Sequence, residues 1–102
     1  MPPPIEAVVN WTEGKGEVAT ITVTMGNGAT TIRWICGSDV ARFEIKDLDE
    51  TEFTPSHSSG QVPTFTTTDR ADRAGDYTYT VVAVQKSTSQ ISAHDPKIEN
   101  VP

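Results

Sequence analysis

The residues that could do chemistry lie in a few short polar segments. Two histidines stand beside hydroxyl or carboxyl groups, His57 in Ser56-His57-Ser58-Ser59 and His94 directly before Asp95. A serine nucleophile needs a base within hydrogen-bond reach and a third group that orients this base on a rigid scaffold. His57 falls in the longest polar connection of the chain, and no nucleophile-elbow sequence is present. We therefore interpret both histidines as exposed loop residues, and we expect no catalytic residues and no enzyme activity.

An acidic run provides the main candidate metal ligands, which Asp39, Asp69, Asp72 and Asp76 could join only if the fold gathers them. Asp47, Asp49, Glu50 and Glu52 place four carboxylates within six residues, and oxygen ligands at this density suit calcium. The run lacks the glycine of an EF-hand loop, and residue 58 is a serine where a bidentate acid is needed. No cysteine and histidine set approaches zinc spacing. An acidic surface loop is the preferred interpretation, so we expect no metal and no cofactor.

Cysteine and aromatic residues point to packing. Cys36 is the single cysteine, so it has no internal disulfide partner and is interpreted as a small buried hydrophobic residue. Trp34, Tyr77 and Tyr79 fit the inner face of a sheet, where large aromatic side chains contribute most to a core. Trp11, near the end of the first predicted strand, has a weaker claim on the core and is a candidate anchor for a partner.

The composition indicates a small β-rich domain and argues against nucleic acid binding and membrane insertion. A chain of 102 residues is long enough for one core. Its net charge of −6 and its eight dispersed Lys and Arg residues argue against nucleic acid binding. No apolar stretch is long enough for membrane insertion or for a signal peptide. Fifteen threonines, many beside valine or isoleucine, favour β-structure, because branching at Cβ suits a pleated surface.

The hydrophobic pattern predicts strands almost throughout. Apolar residues alternate with polar ones at a period of two, and no window has the spacing of an amphipathic helix. Gly26-Asn27-Gly28 is predicted to close a tight hairpin, and residues 47–60 are predicted to form a long mobile or functional connection. Strands are predicted over residues 5–11, 19–25, 31–36, 41–46, 62–66, 77–84 and, interrupted by Pro96, 91–101. The predicted core is Ile21, Val23, Ile32, Trp34, Phe43, Ile45, Tyr77, Tyr79 and Val81.

The segment from Ala74 to Val84 carries a family resemblance. Its Gly75-Asp76-Tyr77-Thr78-Tyr79-Thr80-Val81, together with Trp34 and Gly37-Ser38-Asp39, resembles the immunoglobulin-like superfold. It is similar to modules first described in the polycystic kidney disease protein and to fibronectin type III modules. The resemblance implies an all-β, two-sheet antiparallel sandwich of about seven strands. It also implies a spacer, adhesion or accessory binding unit without catalytic residues. Such modules also decorate phage capsids and tails.

These expectations define a domain plan and a working surface. Residues 1–4 are predicted to be a stiff proline-rich arm, and residues 5–102 a single Ig-like domain. The expected function is that of a phage virion protein, made in the host cytoplasm, which binds a protein shell. The alternative is an adhesion or spacer module of a larger surface or secreted protein, located at the cell surface, with a surface glycan as a second candidate ligand. The predicted partner-binding residues are Pro2, Pro3, Pro4 and Trp11.

The N-terminal segment leaves two interpretations open. Deletion of residues 1–10 is expected to weaken partner binding more than folding, because proline has already fixed φ in the arm. Alternatively, Ile5, Val9 and Trp11 form an ordinary core strand, and deletion of this segment unfolds the domain.

Overall fold

Alternating branched and polar residues build eleven short strands in the computed structural model, which describes residues 2–102. Within this range there is one 3-10 turn, Met25–Asn27, and no α-helix. Met1, part of the predicted arm, lies outside the described residues. The strands are β1 (Ile5–Thr12), β2 (Lys15–Glu17), β3 (Ile21–Thr24), β4 (Thr30–Cys36), β5 (Val40–Lys46), β6 (Phe53–Thr54), β7 (Thr64–Asp69), β8 (Gly75–Thr78), β9 (Thr80–Gln85), β10 (Ile91–His94) and β11 (Lys97–Val101).

The strands form one sheet of five and two sheets of three. The larger sheet has the order β2-β1-β4-β7-β6, and the smaller sheets have the orders β10-β9-β5 and β3-β11-β8. Two of the pairings are parallel. β1 runs parallel to β4, with Ile5 opposite Ile32, and β3 runs parallel to β11, with Ile21 opposite Ile98. The other strand pairs are antiparallel.

The two smaller sheets join end to end. Only Tyr79 separates β8 from β9, and only Asp95 and Pro96 separate β10 from β11. The Tyr79 amide donates a hydrogen bond to the Pro96 carbonyl across this break, at 3.1 Å. The all-β prediction is confirmed, and the packed sheets are compatible with a β-sandwich. The predicted seven strands in two sheets are wrong in number and layout, because these short breaks divide long segments and β2 and β6 were not predicted.

Large side chains from different sheets fill a common core. Trp34 is fully buried, and its indole Nε1 donates to the Tyr79 hydroxyl at 3.1 Å. The Trp34 ring also lies 5.6 Å from the ring of Phe65, centroid to centroid. The predicted core is correct except at Tyr77, which is half-buried and packs against it. Burial of aromatic side chains is the main source of stability in so small a core.

Two local predictions are wrong for reasons of pairing. Residues Gly26-Asn27-Gly28 do not close a hairpin, because β3 and β4 belong to different sheets and β3 pairs with the C-terminal β11. The connection at 47–60 is also not a plain polar loop. Leu48, Glu52 and Ser58 are buried in it, and the Ser58 amide donates to the Ile45 carbonyl at 2.8 Å.

Candidate interaction groove

The predicted partner-binding residues lie at the start of the chain and along β1. Pro3 and Pro4 are exposed and Pro2 is half-buried, all of them ahead of the first strand. Trp11 is half-buried, packs against the core, and donates its amide to the Ser38 carbonyl at 2.8 Å. The structure therefore holds Trp11 in place and does not bring it together with the three prolines as one surface. Their role in binding remains a prediction.

β1 presents one backbone edge that is only partly paired. The Val9 carbonyl accepts from the Gly37 amide at 2.8 Å, and Trp11 donates to Ser38, so odd-numbered residues turn their backbone groups toward β4. Peptide groups alternate in direction along a strand, and even-numbered residues therefore face the other side. On that side β2 pairs only with residues 10–12. In the part of the chain that the structure describes, the N–H and C=O groups of Glu6 and Val8 consequently have no strand partner.

A groove runs along this open edge. The chain leaves β2 at Glu17, crosses toward the sheet β3-β11-β8 through residues 18–20, and enters β3, which is itself an edge strand. The space between the β1 edge and β3 has a volume of about 770 Å³ and is open to solvent. Its apolar lining includes Ile5, Val8, Val18 and Ile21, and its polar lining includes Glu6, Glu17 and His94.

The groove carries negative charge. Glu6 is exposed and takes part in none of the ion pairs found among residues 2–102. Glu17 is partly balanced by Lys15, with Nζ 3.3 Å from Oε1. Val8 beside them is 38% exposed, which makes it one of the few large apolar side chains open to solvent. An exposed apolar residue beside the uncompensated carboxylate of Glu6 and near the ion-paired Glu17 forms a surface suited to a basic and apolar ligand.

A second polar cluster is buried and was not predicted. Glu52 Oε2 accepts from the Arg73 amide at 3.0 Å and from Asn100 Nδ2 at 2.9 Å. Asp69 Oδ1 accepts from the Ala71 amide at 2.9 Å and from Asn100 Nδ2 at 3.1 Å. Within residues 2–102, Asp69 Oδ2 and Asn100 Oδ1 have no hydrogen-bond partner. The cluster fastens three distant segments of the chain to one another.

Burial governs the ionisation of this cluster. Removal from water raises the pKa of Glu52, and the neighbouring Asp72 carboxyl raises it further. Burial also raises the pKa of Asp69, which is completely inaccessible to solvent. The inward positions of Asn100 and Asp69 follow from strand alternation, since Asn100 lies two residues after Ile98 and Asp69 four residues after Phe65. No such pattern indicates the burial of Glu52.

The acidic run at 47–52 does not converge on one point. Asp47 Oδ2 accepts from the Thr80 hydroxyl at 3.0 Å, whereas Asp49 Oδ1 accepts from the Thr51 amide at 2.9 Å. Glu52 turns into the buried cluster. In residues 2–102, no three His, Cys, Asp or Glu side chains stand close enough to hold a metal ion. The calcium alternative therefore has no support from this geometry.

The histidines and the cysteine do not assemble a nucleophile with a base. His57 Nδ1 lies 3.0 Å from the Ser58 carbonyl oxygen, while the Ser58 hydroxyl donates to Gly60 at 2.6 Å. His94 ends β10 and lines the groove. Cys36 Sγ lies 3.5 Å from the Pro63 carbonyl, and burial raises the pKa of its thiol. A raised pKa keeps a thiol protonated and unreactive.

Comparison with known proteins adds no family. No protein-family model matches the chain, and no curated protein matches it either. Among residues 2–102 there is no helix of the length and apolarity needed to cross a bilayer. A proposal for function therefore starts from the groove and the strand order.

Proposed function

We propose that this chain is a non-catalytic interaction domain that binds a protein partner along the groove between β1 and β3. The observation that carries the proposal is the unpaired edge at Glu6 and Val8, which lines an open groove with apolar walls. A free strand edge is normally covered or shortened, because it offers hydrogen-bonding groups to any chain that approaches. Here the edge lies beside apolar side chains, as a binding site for another protein requires.

Strand order supports an immunoglobulin-like sandwich as the framework. When β8 with β9 and β10 with β11 are each counted as one bent strand, β3 to β11 supply seven strands. These would be divided between a layer β4-β7-β6 and a layer β3-β11/10-β9/8-β5. The Tyr77 hydroxyl donates to the Arg73 carbonyl at 2.9 Å, four residues upstream. A tyrosine bonded in this way at the corner before a late strand is a feature of such sandwiches.

The biological setting we favour is a virion, where the domain decorates a capsid or forms part of a tail. An acidic surface and a fold that uses no disulfide suit this setting. A spacer or adhesion module of a larger surface protein is the second candidate, and it uses the same groove. Glycan binding is less favoured. Trp34 and Tyr79 are buried, and Trp11 and Tyr77 are half-buried, so they leave no exposed aromatic platform.

Site-specific photo-crosslinking tests the proposal. A photoreactive benzoylphenylalanine is placed at Val8 in the groove or, as a control, at the exposed Glu50, in the cell that normally makes the protein. We expect one adduct, identified by mass spectrometry as a defined protein, from position 8 and none from position 50. The same adducts from both positions, or no adduct from position 8, would contradict the proposal.

A further inference from the structure

The paired part of the β1 edge shows how the unpaired part can be used. β2 already forms an antiparallel ladder on this side of β1, with Asn10 opposite Glu17 and Thr12 opposite Lys15. The chain then turns away, and the position in line with β2 beside residues 5–9 stays empty. Five residues of strand are about 17 Å long, enough for one short added strand. The Glu6 and Val8 groups repeat about every 6.8 Å, as a ladder requires.

The side chains around this position define the chemistry of an incoming segment. One face of an added strand would meet the apolar walls formed by Ile5, Val18 and Ile21. The other face would lie beside the uncompensated carboxylate of Glu6 and near Glu17. Because alternate residues of a strand point to opposite faces, the matching segment alternates apolar residues with lysine or arginine.

A second copy of the chain fits this position poorly. Each copy carries a net charge of −6, so two copies repel each other at an acidic groove. The exposed Pro3 and Pro4 of another molecule lack the N–H groups that a ladder needs. Charge complementarity therefore points to a different protein with a basic segment.

From these observations we infer that the β1 edge binds an extended segment of a partner protein by strand addition, with apolar residues alternating with lysine or arginine. The inference rests on the proposed interaction function and adds to it the mode of binding and the chemistry of the partner. Main-chain hydrogen bonds give affinity in this mode, and pockets for alternate side chains give specificity. Glu6 and Val8 supply the hydrogen bonds.

Peptide probes test the backbone pairing directly. The probe is a fluorescent eight-residue peptide in which valine alternates with lysine. One control peptide has glutamate in place of every lysine. Two further control peptides carry N-methyl groups on alternate residues: the first blocks the N–H groups on one edge of the strand, and the second blocks those on the other edge. We expect the lysine peptide to bind in anisotropy titrations and to shift the amide resonances of Glu6 and Val8. We expect only one of the two N-methylated peptides to bind more weakly than the parent peptide. Its affinity should fall at least tenfold, because two or more hydrogen bonds are lost.

Two protein variants complete the design. Val8→Pro removes an N–H that faces the groove and leaves the β4 ladder intact, since β4 uses the groups of Ala7 and Val9. We expect it to weaken the lysine peptide about fivefold. Glu6→Lys is expected to weaken it severalfold at low salt, whereas the charge-matched control Glu50→Lys, outside the groove, leaves it unchanged. Thermal unfolding of each variant is measured to check that the fold is kept.

Each outcome bears on a separate claim. Equal binding of both N-methylated peptides and the parent peptide, or no binding of the lysine peptide at millimolar concentration, overturns strand addition. A defined crosslink from Val8 in the cell would then still support the interaction domain. Concentration-dependent dimers that Val8→Pro abolishes would identify a second copy as the occupant and also overturn the inference. Loss of the cellular crosslink contradicts the proposed function itself.

Discussion

At the scale of single residues, the buried carboxyls of Glu52 and Asp69 have the clearest measurable consequence. Their pKa values lie above the ordinary values of 4.5 and 3.8. Between the unfolded and the raised folded pKa values, these two carboxyls therefore bind more protons in the folded protein than in the unfolded chain. The free energy of unfolding consequently falls as the pH rises from the unfolded pKa values through the raised folded values.

Neutral variants should remove this dependence. We expect the urea stability of the parent protein to decrease between pH 4.5 and the raised folded values, with a limit of about 1.4 kcal/mol per pH unit for each carboxyl. Glu52→Gln and Asp69→Asn should each flatten the profile, while the exposed Glu50→Gln should not. The hydrogen bond from the Thr51 hydroxyl lowers the pKa of the half-buried Asp49, so the contribution of Asp49 is lost only at more acidic pH. A parent profile that rises with pH over this interval would refute the assignment.

Sequence reasoning could reach the core but not this cluster. Trp34, Tyr79 and Val81 were predictable because each has the period of a half-buried strand and a large apolar side chain. Glu52 was not predictable, since a glutamate in an acidic run is normally solvated. Its burial depends on Asn100 and on the Arg73 amide, which pairing of distant segments brings to it. No local pattern encodes such contacts.

At the scale of the elements, β2 packs closely against the sheet β10-β9-β5 because residue 16 is a glycine. The Gly16 amide donates to the Ser92 hydroxyl at 2.8 Å. A Cβ atom at position 16 would lie 2.3 Å from the Cβ of the buried Ala83, closer than two carbon atoms can approach. The absent side chain therefore allows β2 to pack on β9 and β10 while it pairs with β1.

Gly16→Ala tests this close approach. We expect the substitution to lower the free energy of unfolding by about 1–3 kcal/mol, because overpacking forces β2 away from Ala83. Gly26→Ala is the matched control, since a Cβ there meets no atom within 4 Å, and its stability should stay within about 0.5 kcal/mol of the parent. Urea unfolding of the three proteins provides the comparison. Equal stability of Gly16→Ala and Gly26→Ala would show that β2 is not seated as described.

The sequence pattern predicts most of the strands, but it does not predict which strands pair with each other. β1, β4, β5 and β9 follow the alternation of their residues closely. Alternation states which side chains point inward, but it does not state which strand lies alongside. The glycine-rich segment between β3 and β4 predicts a tight hairpin that would pair these two strands. The groove could not be predicted because it results from this unexpected pairing of β3 with β11.

At the scale of the whole molecule, the N-terminal segment has two parts with different roles. Ala7 and Val9 are buried and β1 pairs with β4 over five residues, so β1 belongs to the folded core. The exposed Pro3 and Pro4 ahead of β1 do not belong to the folded core. This arrangement favours the core-strand interpretation over the expectation that deletion of residues 1–10 weakens partner binding more than folding.

Truncations separate the two parts. We expect removal of residues 1–4 to keep a cooperative thermal transition within a few degrees of the parent. Removal of residues 1–12 should abolish the transition, because it exposes the β4 edge and uncovers the core. Calorimetry with near-ultraviolet circular dichroism measures both. A folded protein that begins at Glu13 would show β1 to be dispensable and would also remove the groove.

The pairing of β3 with β11 also has a consequence for co-translational folding on the ribosome. Ile21 and Val23 are synthesised about 75 residues before their strand partner Ile98–Val101. At ordinary rates of translation, β3 waits about 4–15 s for this partner. During that interval its apolar residues are open to chaperones or to neighbouring nascent chains. The sheet β3-β11-β8 therefore cannot form before Ile98–Val101 have been synthesised, and translation that stops shortly before Ile98 leaves β3 without its strand partner.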